Sequence, residues 1–382
     1  MKKILLILVI ICMFSMRVNA VGELAKNSKS ACLIEASTMR IIYEKNPTER
    51  LSPASMTKIM TMLLVMESLD NGRITKNDMV PTPNEASELG GSQIYLAPGE
   101  EMSVNDLLKS VAIASANDAA MSLGVYIGGS SDNFVQMMND KAKELNLTDT
   151  NFVNPYGFDD PNHYSSSRDM AMMSAYLINN YPDILKYTSL YEDYVRTDNP
   201  DPEKRFWLVN TNKLVRFMKG VDGLKTGWTN DAGYCLTATI FKDGVRFISV
   251  SMGCANPDLR RDDTTAMLNY ATSNYGLEKY LLKGDSVATF EDVLSRPMKY
   301  KVVVTEDVNI LKAKGQKLGT ITTKVKIDNV KLKKYAEIVG VLEVYLDGRL
   351  YKTVDLSIEE DVKRSSFFDI FFEILKEIFL VS

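Results

Sequence analysis

Histidine is almost missing: His163 is the only one among 382 residues. That scarcity excludes metal centres built from several imidazoles. A Ser-His-Asp arrangement would have to use this one residue. A nucleophilic serine here therefore needs another base, and lysine is the obvious candidate. Cysteine is nearly as sparse, with four in all. One of them, Cys12, sits in an N-terminal apolar run. The others, Cys32, Cys235 and Cys254, are odd in number and show no C-x-x-C spacing, so neither zinc nor a redox motif is indicated. A Cys235–Cys254 disulfide and buried free thiols on strands both stay open. Neither sign of charge dominates. Lys and Arg number 45 against 49 Asp and Glu, a net charge of −4, and nothing points to a nucleic-acid partner. No cofactor motif is present.

An apolar run long enough to span a bilayer is lacking at the N-terminus. Ile4 to Met16 is apolar apart from Ser15, shorter than the ~20 residues a spanning helix needs. Met1-Lys2-Lys3 precedes it, and Val18-Asn19-Ala20 offers a small-residue cleavage site. Residues 1–20 thus read as a secretory signal peptide. Ile11 before Cys12 argues against lipid modification of that cysteine.

Residues 21–278 read as one mixed α/β unit. Ala31 to Tyr43 is strand-like. Met56 to Leu69 places Ile59, Leu63 and Met66 at helical spacing and stops at Asn71-Gly72. Leu107 to Tyr126 carries further helix. Gly223 to Val250 reads as a three-strand meander whose last turn, Asp243-Gly244, is a strong hairpin signal. Antiparallel strands flanked by helices define an α+β class. Over 285–357 the pattern changes to short strands, Val302-Val303-Val304, Ile321 to Ile327 and Val341 to Leu346. Asp347-Gly348 then turns the chain into Leu350 to Leu356, so this stretch reads as a small β-sandwich domain.

The last segment, 361–382, reads as an amphipathic helix. Asp369, Glu373, Lys376 and Glu377 share one stripe, and phenylalanines, leucines and isoleucines cover the rest. Such a helix suits the membrane interface. The acidic stripe gives anionic lipids little to attract, and Lys363 and Arg364 offset this only in part.

Three short motifs occur in order. The first is Ser55-Met56-Thr57-Lys58, the second Ser115-Ala116-Asn117 and the third Lys225-Thr226-Gly227. Each alone is weak; together, in this order in an exported chain, they form the set used by serine acyl-enzymes of the penicillin-binding and β-lactamase type. After Pro53-Ala54, Ser55 falls in the first turn of a helix, where free N–H groups favour developing negative charge. The i, i+3 spacing puts Lys58 on the same face. A lysine desolvated there, near other cations, loses its proton near neutral pH and takes one from Ser55. Ser115 suits a proton relay to the leaving amine, and the Asn117 amide suits a substrate carbonyl. On a strand, Lys225 and Gly227 share one face and Thr226 the other. Lys225 supplies charge for a peptide carboxylate, and Thr226 or Thr229 a hydroxyl. Gly227 removes bulk beside a substrate backbone, and the Trp228 N–H pairs with that of Ser55 as an oxyanion hole.

These residues resemble the low-molecular-mass penicillin-binding proteins of the D-alanyl-D-alanine carboxypeptidase family. The resemblance extends through Pro53 to Thr61, Gly91-Ser92-Gln93-Ile94-Tyr95-Leu96, Ser115 to Ala120, Asn154-Pro155-Tyr156-Gly157, His163-Tyr164-Ser165 and Asp222 to Gly227. It covers about residues 30–275 closely. It implies acylation of Ser55 by D-Ala-D-Ala ends of peptidoglycan peptide stems, release of D-alanine, hydrolysis by water, and covalent inhibition by β-lactams. It makes Lys58 the base, Ser115 the relay and Lys225 the carboxylate contact. His163 has no catalytic role in that scheme and reads as structural. It implies an exported enzyme at the outer face of the cytoplasmic membrane, or a secreted one if the terminal helix does not anchor. Glu144-Leu145-Asn146 looks like part of the class A β-lactamase segment, but the deacylating glutamate's position is Ala142 here. Lys58 acting a second time is the expected deacylating base. A poorly hydrolysing penicillin-binding sensor, and transpeptidase or endopeptidase activity on the same residues, stay open at this stage.

Overall fold

The computed structural model describes residues 23–366 apart from 198–200, 202, 204 and 293, together with 370 and 371. The leader expected over 1–20 and most of the helix expected over 361–382 lie outside the described residues.

Five strands make the main sheet: β1 (Ser30–Glu35), β2 (Arg40–Lys45), β3 (Val221–Thr229), β4 (Gly233–Lys242) and β5 (Val245–Cys254). Their order is β2-β1-β5-β4-β3, antiparallel throughout. The Asp243-Gly244 turn holds both residues at positive φ, 53° and 79°, which matches the twist of the flanking strands. The sheet is buried on both faces, so its central strands read as continuous apolar runs rather than alternating ones. On β1, Ala31 and Leu33 join one core while Cys32 and Ile34 join the other.

The long C-terminal helix of this unit (Pro257–Asn274) covers one face through Met267, Leu268 and Ala271. A helical layer covers the other. Its centre is α1 (Lys58–Asp70), followed by α2 (Val104–Ile113), α3 (Asn117–Gly128), α4 (Ser131–Glu144) and α5 (Ser167–Asn180). The stripe Ile59, Leu63, Met66 understates α1: Met60, Met62, Leu64 and Val65 are buried too, because a helix enclosed on all sides needs apolar residues all round. The helical stretch expected over 107–126 is two helices joined by a turn. Ser115, at φ 64°, ends one run and lets Asn117 begin the next.

A second five-stranded sheet runs Ser286–Glu291, Lys299–Val304, Arg349–Ile358, Gly340–Leu346, Ile321–Ile327. Val302, Val304, Leu342, Val344, Val354 and Leu356 form its core. A short helix, Asn329–Lys333, interrupts the strands and is capped by Asp328. Arg40 of β2 lies over the Tyr351 ring at 4.1 Å and donates to the Tyr351 carbonyl, joining the two units. At 361–366 the chain departs from the expected helix. Lys363–Arg364 is a short strand paired with Ser295–Arg296, and Val362 is buried in the second core. Seating Val362 there pulls its neighbours into extended pairing; among the described residues a helix-type bond follows from Ile370 N–H to Ser366 O, 3.2 Å. Cys32, Cys235 and Cys254 are buried free thiols, so the disulfide alternative gives way to buried strand cysteines.

Candidate active site

Ser55 lies in a single 3-10 turn, Ala54–Thr57, that feeds directly into α1. Two glycines wedge this turn in place. A Cβ on Gly227 of β3 would lie 2.6 Å from Pro53 O, and one on Gly157 would lie 1.9 Å from Ala54 O. Gly227 therefore serves the packing of the serine turn against the strand, not only the approach of a substrate backbone. Ala54 itself is held at φ 47°, a conformation that costs a residue with a Cβ about 1 kcal/mol or more.

Lys58 is fully buried and donates three hydrogen bonds: to Ser55 Oγ at 3.0 Å, Asn117 Oδ1 at 2.7 Å and Tyr156 O at 2.7 Å. Asn117 Oδ1 and a backbone carbonyl only accept. They consume two N–H bonds of the amine and leave its third position facing Ser55. Burial pushes Lys58 well below the ordinary lysine range. The Lys225 charge pushes the same way, and the Asp118 carboxylate opposes both. Loss of one proton from Lys58 would turn that third position into a lone pair, and the Ser55 hydroxyl would then donate along the same 3.0 Å contact.

Asn117 begins α3, and its amide donates to Gly90 O at 2.7 Å while its backbone N–H donates to Ser92 O. The structure thus turns the Asn117 side chain toward Lys58 and the 90–92 loop. Ser115 is buried in the turn before it; among the described residues no hydrogen bond joins it to Ser55 or Lys58. The loop carrying Tyr156 and Gly157 is shaped by Asn154, whose Oδ1 accepts from the N–H groups of Tyr156, Gly157 and Phe158.

β3 is the edge of its sheet, with a hydrogen-bonded neighbour on one side. Lys225 is buried on it and donates to Thr226 O at 3.0 Å. Burial lowers its pKa to about 7, with the Arg260 guanidinium adding to the effect. Thr226 faces the other way, its hydroxyl donating to Thr211 Oγ1 at 2.7 Å. Trp228 is half exposed against Tyr234, ring centroids 5.9 Å apart. Thr229 and Ser52 both donate to Asp159 Oδ1, at 2.8 and 2.7 Å, pinning the strand's end beside the serine turn.

His163 is buried away from the serine. It accepts from Val153 N–H through Nδ1 (3.0 Å), so Nε2 carries the proton and donates to Thr57 Oγ1 (2.7 Å). Burial lowers its pKa to about 4. Ala142 is buried on α4, and Glu144 is held by Lys141 at 2.7 Å. Two residues escaped sequence reasoning. Asp118, almost fully buried, accepts from the N–H groups of Ile94 and Leu96, both 3.1 Å from Oδ2, and fixes the loop beside Asn117. Its adjacency to Asn117 was the one available signal. Arg260, on the Pro257–Asn274 helix, has a buried Nε without a hydrogen-bond partner among the described residues and lines a cavity of about 160 Å³ with Thr211 and Leu236. Nothing in the local sequence marks it.

An antiparallel sheet layered with helices, with a serine–lysine pair at the start of a buried helix beside an edge strand, defines the class of penicillin-binding and serine β-lactamase folds. The model of one family, D-alanyl-D-alanine carboxypeptidase, matches residues 17–256. The D-alanyl-D-alanine carboxypeptidase DacF of Bacillus subtilis is 44% identical over 349 residues, 91% of this chain and 88% of that one. DacC of Escherichia coli is 30% identical over 354 residues, covering 90% and 86%. Penicillin binding protein 5 from Haemophilus influenzae is similar in structure, with TM-score 0.72, 29% identity and coverage of 88% and 98%. Penicillin-Binding Protein D2 from Listeria monocytogenes, in its cefotaxime bound form, is similar at TM-score 0.58 and 30% identity, covering 64% and 96%. The chain belongs to the D-alanyl-D-alanine carboxypeptidase family and is a serine carboxypeptidase of the penicillin-binding class.

Proposed function

We propose that the chain removes the terminal D-alanine of peptidoglycan stem peptides through a Ser55 acyl-enzyme. The observation that carries this reading is the contact of a desolvated Lys58 with Ser55 Oγ at 3.0 Å, its other two positions being taken by pure acceptors. Neutral Lys58 takes the Ser55 proton as Oγ attacks the penultimate D-alanine carbonyl. The Ser55 N–H and the Trp228 N–H on the edge strand receive the oxyanion. The C–N bond breaks, and the proton passes from Lys58 through Ser115 to the leaving amine. Water then attacks the ester, Lys58 takes its proton, and Ser55 Oγ departs with it. Lys225 draws the substrate carboxylate, with the Arg260 charge near it adding to the attraction, and the Thr226 hydroxyl is a second hydrogen-bonding group for the peptide end. Asn117 holds Lys58 in place and keeps one amide hydrogen for substrate. A β-lactam acylates Ser55 by the same attack, but its leaving amine stays tethered in the opened ring, which is why the adduct lasts.

We place the enzyme outside the cytoplasm, through a leader over 1–20, with the apolar stretch after Ser366 laid in the membrane interface. Among the described residues no helix is long and apolar enough to cross a membrane. Mass spectrometry of a D-Ala-D-Ala peptide tests the reaction. Loss of one alanine, abolished in Ser55→Ala together with penicillin labelling, is the expected result. Penicillin labelling at Ser55 without alanine release would instead mark a sensor.

A further inference from the structure

The end of the β-unit where the chain leaves toward residue 370 carries an unusual surface. Ser365 N–H donates to Leu294 O at 2.7 Å, and Lys363–Arg364 pairs with Ser295–Arg296. The short helix Asn329–Lys333 ends beside this exit, because Tyr335 reaches Asp292 through its hydroxyl (3.4 Å) and packs on Tyr300. Tyr335, next in sequence to Lys334, also lies within reach of the Arg364 charge, which places Lys331, Lys333 and Lys334 at the same end of the unit as Lys363 and Arg364; all five are exposed. Lys363 is paired with Asp361. Lys331, Lys333, Lys334 and Arg364 have no salt bridge among the described residues. Three large apolar side chains, Leu294, Met298 and Val330, stand exposed among these cations.

The acids of this end are mostly occupied. Asp328 caps the helix, Asp292 accepts from Leu294 N–H and Tyr335, and Asp361 holds Lys363. Glu337 is exposed. Unpaired lysines interleaved with exposed apolar side chains are costly toward water and well suited to a headgroup layer, where ammonium groups meet phosphates and apolar tips reach acyl chains. The sequence after Ser366 is itself rich in phenylalanine, leucine and isoleucine, with mainly acidic polar residues. It has apolar surface to insert but little charge to attract an anionic leaflet.

We propose that this collar, Lys331, Lys333, Lys334 and Arg364 with Leu294, Met298 and Val330, docks the β-unit on an anionic phospholipid surface. The inference rests on the reading of the terminal stretch as a membrane anchor and deepens it: the stretch inserts, and the collar chooses the lipid and sets the unit upright on it.

Vesicle co-sedimentation of the signal-free chain tests both parts, with phosphatidylcholine alone and with phosphatidylglycerol added. A lysine at an anionic leaflet is worth about fivefold in partitioning. The triple variant K331Q/K333Q/K334Q should lose about a hundredfold in binding to phosphatidylglycerol vesicles and little on phosphatidylcholine, with penicillin acylation in solution unchanged. Raised salt should imitate the variant on the anionic vesicles. Equal binding of wild type to both vesicles, or an unaltered triple variant, overturns the collar while leaving the anchor. Absence of binding to either vesicle overturns the anchor and the collar with it. L294S/M298S/V330S should weaken binding as well. If only the charge variant matters, the collar holds the anionic leaflet by charge alone and the assignment of Leu294, Met298 and Val330 to it is wrong.

Discussion

Replacing Gly157 by alanine should disable acylation far more than it unfolds the protein. Gly157 sits at φ 94°, and an added Cβ would lie 1.9 Å from Ala54 O, 2.4 Å from Ala54 C and 2.9 Å from Ser55 N. These are backbone atoms of the serine turn, with no flexible tip to swing aside. Real Cβ contacts stop near 3.0 Å, so opening the 1.9 Å contact to that floor moves the Ser55 backbone or the Tyr156 carbonyl by about 1 Å. Two of the three partners of Lys58 are on the moving pieces. A displacement of that size at a reacting group costs about a hundredfold in rate. The left-handed backbone adds about 1–2 kcal/mol of destabilisation. Gly99→Ala is the matched control: its φ is 75°, yet nothing lies within 4 Å of the added Cβ. The assay is the second-order acylation rate with a fluorescent penicillin, beside a thermal melt. Both variants should melt lower, and only Gly157→Ala should label about a hundredfold more slowly. A wild-type labelling rate in Gly157→Ala, or an equal loss in Gly99→Ala, would refute the reasoning.

Two further tests concern protons. Lys225→Ala removes a positive charge that holds Lys58 down, so the acid limb of the acylation pH profile should move to higher pH; a limb that stays or moves down contradicts the electrostatic coupling. His163 is neutral in the fold, with a pKa of about 4 against 6.5 when unfolded. Between those values the unfolded chain binds the extra proton, so the stability tied to His163 is full above pH 6.5 and is lost as pH falls through 4, by about 3 kcal/mol. In urea melts the stability gap between wild type and His163→Asn should narrow by that order over this window, and a constant gap would show that the ring does not titrate with folding.

Much of this architecture is written in local chemistry. The Asp243-Gly244 and Asp347-Gly348 hairpins were legible because a two-residue turn of positive φ admits few residue types. The Ser55–Lys58 contact was legible because one helical turn fixes the spacing of i and i+3. What stayed hidden depends on partners distant in sequence. Ser115-Ala116-Asn117 suits either a turn with a helix N-cap or continued helix by residue type, and the left-handed Ser115 is held by packing that the local sequence does not show. Asn117 reads as a substrate donor by residue type, yet Lys58, 59 residues earlier, takes its carbonyl. Gly227 looked open because a strand position says nothing of Pro53 lying across it. Arg260 carries no motif, and its place behind Lys225 is a property of the helix that covers the sheet.

The three acceptors around Lys58 come from three separate stretches of chain, at Ser55, Asn117 and Tyr156. In an unfolded chain that lysine is hydrated, protonated and chemically idle, and the serine beside it is an ordinary alcohol. In that state the chain carries no reactive group to be poisoned or to attack its neighbours. The nucleophile comes into being only when the helical layer closes on the sheet, so covalent labelling by penicillin doubles as a count of correctly folded molecules.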